Sequence, residues 1–275
     1  EARGIAWTLH PAKKHPVNPI LTADLPTDGW RVLLYGDVFY DEDECIYKMW
    51  YRGNEGQAWP RGGLRYATSD DGVHSDGAVV LNGGTVEIAT ADDGVHAELT
   101  LTINGGDVTV SQSYEGLESV LGDLVINGGT VDVTATDDGL NLAGDGDDPG
   151  GVETPGDPYD MVFNGGRITV TAGNDGIDSN GFIVMTGGCL AIDGPVPGTR
   201  PEQGAIDYNG DFEITGGVLV AAGAAGRMAQ TPGTASTQAT VAITFSSVQS
   251  AGTVVSLQGD GGALAVAPGK TFQSL

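Results

Sequence analysis

Val79-Val80-Leu81-Asn82-Gly83-Gly84-Thr85-Val86-Glu87-Ile88 decides the fold, because the chain writes it again and again. It returns as Leu101-Thr102-Ile103-Asn104-Gly105-Gly106-Asp107-Val108-Thr109-Val110 and as Leu124-Val125-Ile126-Asn127-Gly128-Gly129-Thr130-Val131-Asp132-Val133. A fourth copy reads Met161-Val162-Phe163-Asn164-Gly165-Gly166-Arg167-Ile168-Thr169-Val170. Two further copies turn through Thr186-Gly187-Gly188 and Thr215-Gly216-Gly217. The turns are spaced by 22, 23, 37, 22 and 29 residues. The two long spacings are the basic period plus insertions of 15 and 7, which fit the loops Gly144-Asp145 to Asp157-Pro158 and Pro195-Val196-Pro197 to Pro201.

Around each turn apolar residues alternate, which is the period of a strand with one buried face. A third apolar mark, Val73, Val95, Leu117, Leu140, Ile177 and Ile206, follows a second kind of turn. One period therefore holds three short strands and three turns, and no stretch has helical spacing. Such a unit cannot bury its own apolar face, but stacked on its copies it can. The expected fold is all-β: a right-handed, single-stranded parallel β-helix with about 4.8 Å between neighbouring strands. A β-sandwich also uses short strands but has no reason to repeat one turn in one register. Gly suits the positive-φ turn positions, and stacked Asn amides can hydrogen-bond along the axis.

The second turn is acidic: Asp70-Asp71-Gly72, Asp92-Asp93-Gly94, Tyr114-Glu115-Gly116, Asp137-Asp138-Gly139, Asn174-Asp175-Gly176. Stacking places Asp71, Asp93, Glu115, Asp138 and Asp175 in one file. Unit charges about 5 Å apart repel by roughly 3 kcal/mol at an effective dielectric near 20. A second polar column holds His74, His96, Glu118, Asn141, Asp178 and Asp207, with Asp76 and Glu98 two residues beyond its first two members. Carboxylates, an Asn carbonyl and turn carbonyls form a hard-oxygen environment suited to Ca²⁺. The expected metal ligands are drawn from Asp71, Asp76, Asp93, Glu98, Glu115, Glu118, Asp138, Asp175, Asp178 and Asp207. The two His read as solvent-facing turn residues, and a solvated acidic edge without metal is the competing reading.

Composition agrees. The 275 residues include 45 Gly, 37 Asp+Glu and 12 Lys+Arg, for a formal net charge of −25. Such a charge argues against nucleic-acid binding, and no apolar run has the roughly 18 residues of a membrane span. The charge is not evenly spread. Residues 1–69 carry 8 basic and 9 acidic residues, whereas 70–275 carry 4 and 28. All four Trp lie in the first part and 38 of the Gly in the second. That step marks two units, 1–69 and 70–275. Cys45 and Cys189 are far apart and read as buried free thiols. The start Glu1-Ala2-Arg3 has no Met, as in a processed or truncated chain.

Asp70-Asp71-Gly72-Val73-His74-Ser75-Asp76-Gly77, Ser113-Tyr114-Glu115-Gly116-Leu117-Glu118, Asp137-Asp138-Gly139-Leu140-Asn141 and Asp175-Gly176-Ile177-Asp178-Ser179-Asn180-Gly181 occur in order. Gly204-Ala205-Ile206-Asp207-Tyr208-Asn209-Gly210, Met228-Ala229-Gln230 and Gln249-Ser250-Ala251-Gly252-Thr253 follow. Together they resemble the carbohydrate-binding-domain proteins of bacterial cell surfaces, typified in clostridia, over about residues 70–275. The resemblance implies a pectate-lyase-like β-helix, bound calcium at the acidic positions above, and an acidic plant polysaccharide as partner. Polygalacturonate (pectin) is the implied sugar, with cellulose as a further one. It also implies an extracellular or cell-surface location in a bacterium, and a monomer.

The first part is similar to something else. His15-Pro16-Val17-Asn18-Pro19-Ile20-Leu21, Tyr35-Gly36-Asp37-Val38-Phe39-Tyr40-Asp41, Tyr47-Lys48-Met49-Trp50-Tyr51 and Arg65-Tyr66-Ala67-Thr68-Ser69-Asp70-Asp71-Gly72-Val73-His74 resemble the start of a five-bladed β-propeller glycosidase. Only about one blade of such an enzyme would fit, so a partial propeller-like segment is expected, less ordered than the β-helix. A join at Ser69–His74, which suits both families, and a natural cap for the β-helix are the two readings of it.

The leading function is non-catalytic, Ca²⁺-dependent polysaccharide binding, with no catalytic residues. The alternative is a polysaccharide (pectate) lyase on the same calcium-bearing helix. That chemistry needs a base near the metal, and residues 70–275 offer only Arg167, Arg200, Arg227 and Lys270 as cations. An adhesive β-helix that binds no sugar, and glycosidase activity from the partial propeller, are the other readings.

Overall fold

The computed structural model describes residues 32–41, 46–54, 62–67, 72–75, 77–89, 92–144, 159–199, 203–259 and 262–275. All regular structure among them is β-strand. From Val73 onward, six successive coils each contribute three strands. Coil 1 is Val73–Ser75, Val79–Leu81 and Thr85–Ile88, and coil 2 is Asp93–Ala97, Leu101–Ile103 and Asp107–Ser113. Coil 3 is Glu115–Ser119, Leu124–Ile126 and Thr130–Ala135. Coil 4 is Leu140–Leu142, Asp160–Phe163 and Arg167–Ala172, and coil 5 is Ile177–Ser179, Phe182–Met185 and Cys189–Asp193. Coil 6 is Ile206–Tyr208, Phe212–Ile214 and Val218–Ala222.

First, second and third strands go to three separate sheets in rotation, each six-stranded and ordered by coil. Every pairing between coils is parallel. This is the arrangement of a parallel β-helix. The period of 22 is thus one turn of the chain around a common core, as the repeated sequence requires.

The register follows the repeat, with one shift where Asp107–Ser113 meets Thr130–Ala135, between Val133 and Ala135. Val73, Val95, Leu117, Leu140, Ile177 and Ile206 pair in one file and all are buried. The second sheet stacks Leu81, Ile103, Ile126, Phe163, Met185 and Ile214 in the same way. The third sheet stacks Val86, Val108, Val131, Ile168 and Leu190. Apolar burial along these files is the main driving force, since a lone coil has nowhere to hide them. The insertion between Leu142 and Asp160 leaves the register intact, because Leu124 pairs with Met161 as it does with Leu101. Residues 145–158 lie outside the described residues.

The Asn-Gly-Gly turns work as their chemistry suggests. Asn104 Nδ2 donates to Asn82 Oδ1, Asn127 Nδ2 to Asn104 Oδ1, and Asn164 Nδ2 to Asn127 Oδ1, each at 2.8 Å. Thr186 Oγ1 ends the ladder on Asn164 Oδ1 at 2.7 Å. The second Gly of the turn holds a left-handed φ, 97° at Gly106 and 95° at Gly129, which favours glycine.

Past coil 6 the chain closes over the end. Thr244–Gln249 pairs antiparallel with Phe272–Ser274, and Val255–Gly259 with Gly262–Val266. Phe272 is buried and meets Phe245 edge to face at 5.6 Å. Lys270 Nζ donates to Ala172 O, and Gly269 N to Asp193 Oδ2 at 2.8 Å, so this segment straps the third sheet. An open end would leave sheet and core exposed.

Ahead of the coils, the backbone of Val32–Asp41, Ile46–Asn54 and Gly62–Ala67 makes a three-stranded antiparallel sheet. Most residues of the expected propeller-like segment, including Cys45, lie outside the described residues. Cys189 corrects one expectation: it is free and exposed, not buried. It opens a strand whose core-facing positions are Leu190 and Ile192, so its parity turns it outward.

Candidate metal centres on the first sheet

Short strands of three to five residues set the geometry of the first sheet. The residue after each buried Val, Leu or Ile of the file turns outward, so one outward position repeats per coil. The register stacks His74, His96, Glu118, Asn141, Asp178 and Asp207 in that column, as the spacing predicts. In the turn before it, Asp93 pairs with Glu115. Asp138 and Asp175 follow on the next two coils, where Asp175 N donates to Asp138 Oδ1 at 2.8 Å. Asp71 and Asp76 lie outside the described residues.

The carboxylates do not simply face one another. Two groups of them form, each with its own chemistry. In the first, the His96 ring is wedged among acids. Its Nδ1 lies 3.3 Å from Asp93 Oδ2 and contacts Glu118 Oε2, while Nε2 lies 3.6 Å from Glu98 Oε2. The His96 side chain is only 14% exposed, so the expectation of a solvent-facing ring fails for it. His74 stacks on it with centroids 4.4 Å apart and planes 8° from parallel, and is itself exposed. Hydrogen bonds to Asp93 and then Glu118 outweigh burial and push the His96 pKa up to about 10.

In the second group, a ligand oxygen from each of Glu115, Asp137 and Asp138 lies within 4.8 Å of the others. Asn141 Nδ2 donates to Glu115 Oε2 at 2.6 Å and to Glu118 Oε1 at 3.0 Å, tying the two groups together. Burial drives the Glu115 pKa up to about 9; the Asn141 amide opposes this and the Glu118 charge adds to it. One coil on, burial raises Asp175 to about 7, against the backbone N–H of Gly204 and with help from Asp138. Asp178 and Asp207 pair in register beyond Asn141.

Repulsion along the file is therefore met by the His96 ring, an amide, backbone N–H groups and the raised proton affinity of Glu115 and Asp175. A bound cation would favour the ionised form of both carboxyls. The second group fits a hard ion best. All three side chains offer oxygen, and the neighbouring Asn174 brings a buried Oδ1 with no hydrogen-bond partner among the described residues. Asn174 N donates to Asp137 O at 3.0 Å, which fixes it as the next residue of the stack. Three carboxylate oxygens gathered around one point suit Ca²⁺, which takes 6–8 oxygen ligands.

Of the residues expected from sequence to hold a metal, Glu115 and Asp138 fall in this cluster, and the second polar column stacks in register. Sequence reasoning missed Asp137, which precedes the file in the turn, and Asn174, its stacked equivalent. Both occupy the first position of the acidic turn, and stacking that position as well as the second would have found them. It also set His96 aside, although the residue stacks directly against Glu118.

A family model described as "Carbohydrate-binding domain-containing protein" matches residues 63–116, which take in coils 1 and 2 and the start of coil 3. No curated protein and no solved structure matches the chain. No helix among the described residues is long and apolar enough to cross a membrane.

Proposed function

We propose that the chain is a non-catalytic module that binds an acidic polysaccharide of the polygalacturonate (pectin) type through Ca²⁺ held on its first sheet. The match of residues 63–116 to a carbohydrate-binding domain supports the sugar. The oxygen cluster of Glu115, Asp137 and Asp138, with Asn174 beside it, supports the ion. Asp178 and Asp207 continue the acidic column on the following coils.

Charge carries the mechanism. An acidic sheet and a polyuronate repel, so the polymer needs cations between them. Asp137 and Asp138 are buried while Glu115 and the column residues Asn141, Asp178 and Asp207 are half-buried, so an ion held at the outer side of the cluster can share its coordination between protein and sugar carboxylates. The coil repeat adds multivalency, since one rigid face presents several such positions at regular intervals to a polymer that is itself periodic. In this reading the helix is right-handed, as parallel crossovers are. Residues 1–69 form a separate unit with no part in the binding. The protein acts as a monomer outside the cell or at a bacterial surface.

Retention on immobilised polygalacturonate tests the reading. Binding in Ca²⁺ and release by a chelator are expected, with no rise in the absorbance of unsaturated product from soluble pectate. Chelator-insensitive retention contradicts the calcium bridge, and a calcium-dependent absorbance rise contradicts the non-catalytic assignment.

A further inference from the structure

The first group of acids differs from the second in one respect that changes its metal preference: it contains a nitrogen ligand. We propose that Asp93, His96 and Glu118 form a separate site for a transition-type divalent ion such as Zn²⁺ or Co²⁺, distinct from the Ca²⁺ positions.

Three observations converge on this. First, a ligand atom from each of Asp93, His96 and Glu118 lies within 4.8 Å of the others. The Nδ1–Oδ2 separation of 3.3 Å is about the edge of a tetrahedron with ~2.0–2.1 Å metal bonds, the lengths zinc takes with His and carboxylate, whereas Glu118 Oε2 is in direct contact with Nδ1 and must swing back by a side-chain rotation to admit the ion. Second, the opposite ring nitrogen faces a carboxylate of its own. Glu98 Oε2 lies 3.6 Å from Nε2, longer than a hydrogen bond but on the side where a metal-bound imidazole is normally oriented by an outer acid. Third, the three side chains are half-enclosed yet reachable, at 24%, 14% and 12% exposed for Asp93, His96 and Glu118. Three protein ligands and an open side leave the fourth position to solvent or to a ligand.

The scaffold makes the arrangement rigid. Asp93 and His96 sit on one strand, and Glu118 is the register partner of His96 on the next coil. Mixed nitrogen and oxygen donors favour Zn²⁺, Co²⁺ or Ni²⁺, whereas Ca²⁺ gains little from imidazole. No Lys or Arg side chain competes for these carboxylates in the sequence of coils 1 to 3, from Val73 to Ala135.

Untagged protein, freed of metal, is titrated with Co²⁺ and read by its visible d–d absorption. An intense band of tetrahedral type, saturating near one ion per chain and unaffected by a large excess of Ca²⁺, is expected. His96→Gln should weaken Co²⁺ binding by at least the ~10–100-fold that loss of a mere outer-sphere partner causes. Asp93→Asn should weaken it in the same direction, with the far-UV circular dichroism of both variants unchanged. The proposal is overturned if no such band forms, if Ca²⁺ displaces the Co²⁺, or if His96→Gln binds Co²⁺ like the parent. Should His96→Gln fail to fold, Asp93→Asn decides alone. The Ca²⁺ reading is judged by retention on polygalacturonate, so either can fail without the other.

Discussion

Replacing Gly116 by Ala tests the coil stacking more severely than any truncation of the core. Gly116 lies at the end of the acidic turn, where the chain enters the first sheet. A Cβ added there would stand 2.1 Å from Gly139 O and 2.2 Å from Val133 Cγ1, far inside the 3.0 Å that real Cβ atoms respect. Neither neighbour can retreat freely. Gly139 O already accepts from Leu117 N at 3.0 Å, so pushing the coils apart breaks an inter-coil bond. Val133 is buried in the core. Overpacking of this kind costs about 1–3 kcal/mol, and the lost hydrogen bond about 0.5–1.5 more. A loss of about 3 kcal/mol should lower the Tm of a chain this size by roughly 6–12 °C. Gly105→Ala is the control, because its added Cβ would meet only Asn82 O at 4.0 Å and its φ is not left-handed. It should stay within about 0.5 kcal/mol of the parent. Thermal melts by circular dichroism in excess chelator, so that metal does not mask the difference, compare the two. Equal melting of both variants would refute the stacking of Gly116 on Gly139.

Asn127→Ala removes the middle of the amide ladder, its bond to Asn104 and the acceptor of Asn164 together. These bonds are exposed, so a urea titration should show a loss of about 1–2 kcal/mol, and about half of that for Asn82→Ala at the ladder's end. Metal-free stability should fall as pH rises. Glu115, Asp175 and His96 all bind protons more tightly folded than unfolded, up to about 9, 7 and 10, so the folded chain holds more protons across the range from near 4 to 10. A Tm that climbs from pH 5 to 9 in chelator would contradict this. Limited proteolysis should remove residues 1–69 and leave 70–275 resistant; the reverse order would contradict the division into two units.

Much of this was legible because a β-helix converts sequence period directly into position. Once Asn82, Asn104, Asn127 and Asn164 are recognised as one turn, the register of the first sheet follows, including His74 on His96 and Glu118 on Asn141. The insertion after Leu142 could be set aside for the same reason. What the period cannot supply is direction within a column. It places His96 beside Glu118 but does not say that the ring folds inward among three carboxylates rather than out to water. Nor does it say how a column resolves its charge, here through Asn141, the Gly204 N–H and the raised proton affinity of Glu115. Cys189 was misjudged on residue type, which favours burial, where parity within Cys189–Asp193 decides the matter.

The central claim is that the acidic edge is built around calcium, and the Tm as a function of added Ca²⁺ tests it most directly. An ion that binds only the folded chain stabilises it by about 2.7 kcal/mol at a hundredfold excess over Kd. The account predicts a midpoint that rises steadily with Ca²⁺ concentration, more steeply at pH 8 than at pH 5, and a much smaller rise in Asp138→Asn. A midpoint indifferent to Ca²⁺, or a rise that Asp138→Asn leaves intact, would contradict it.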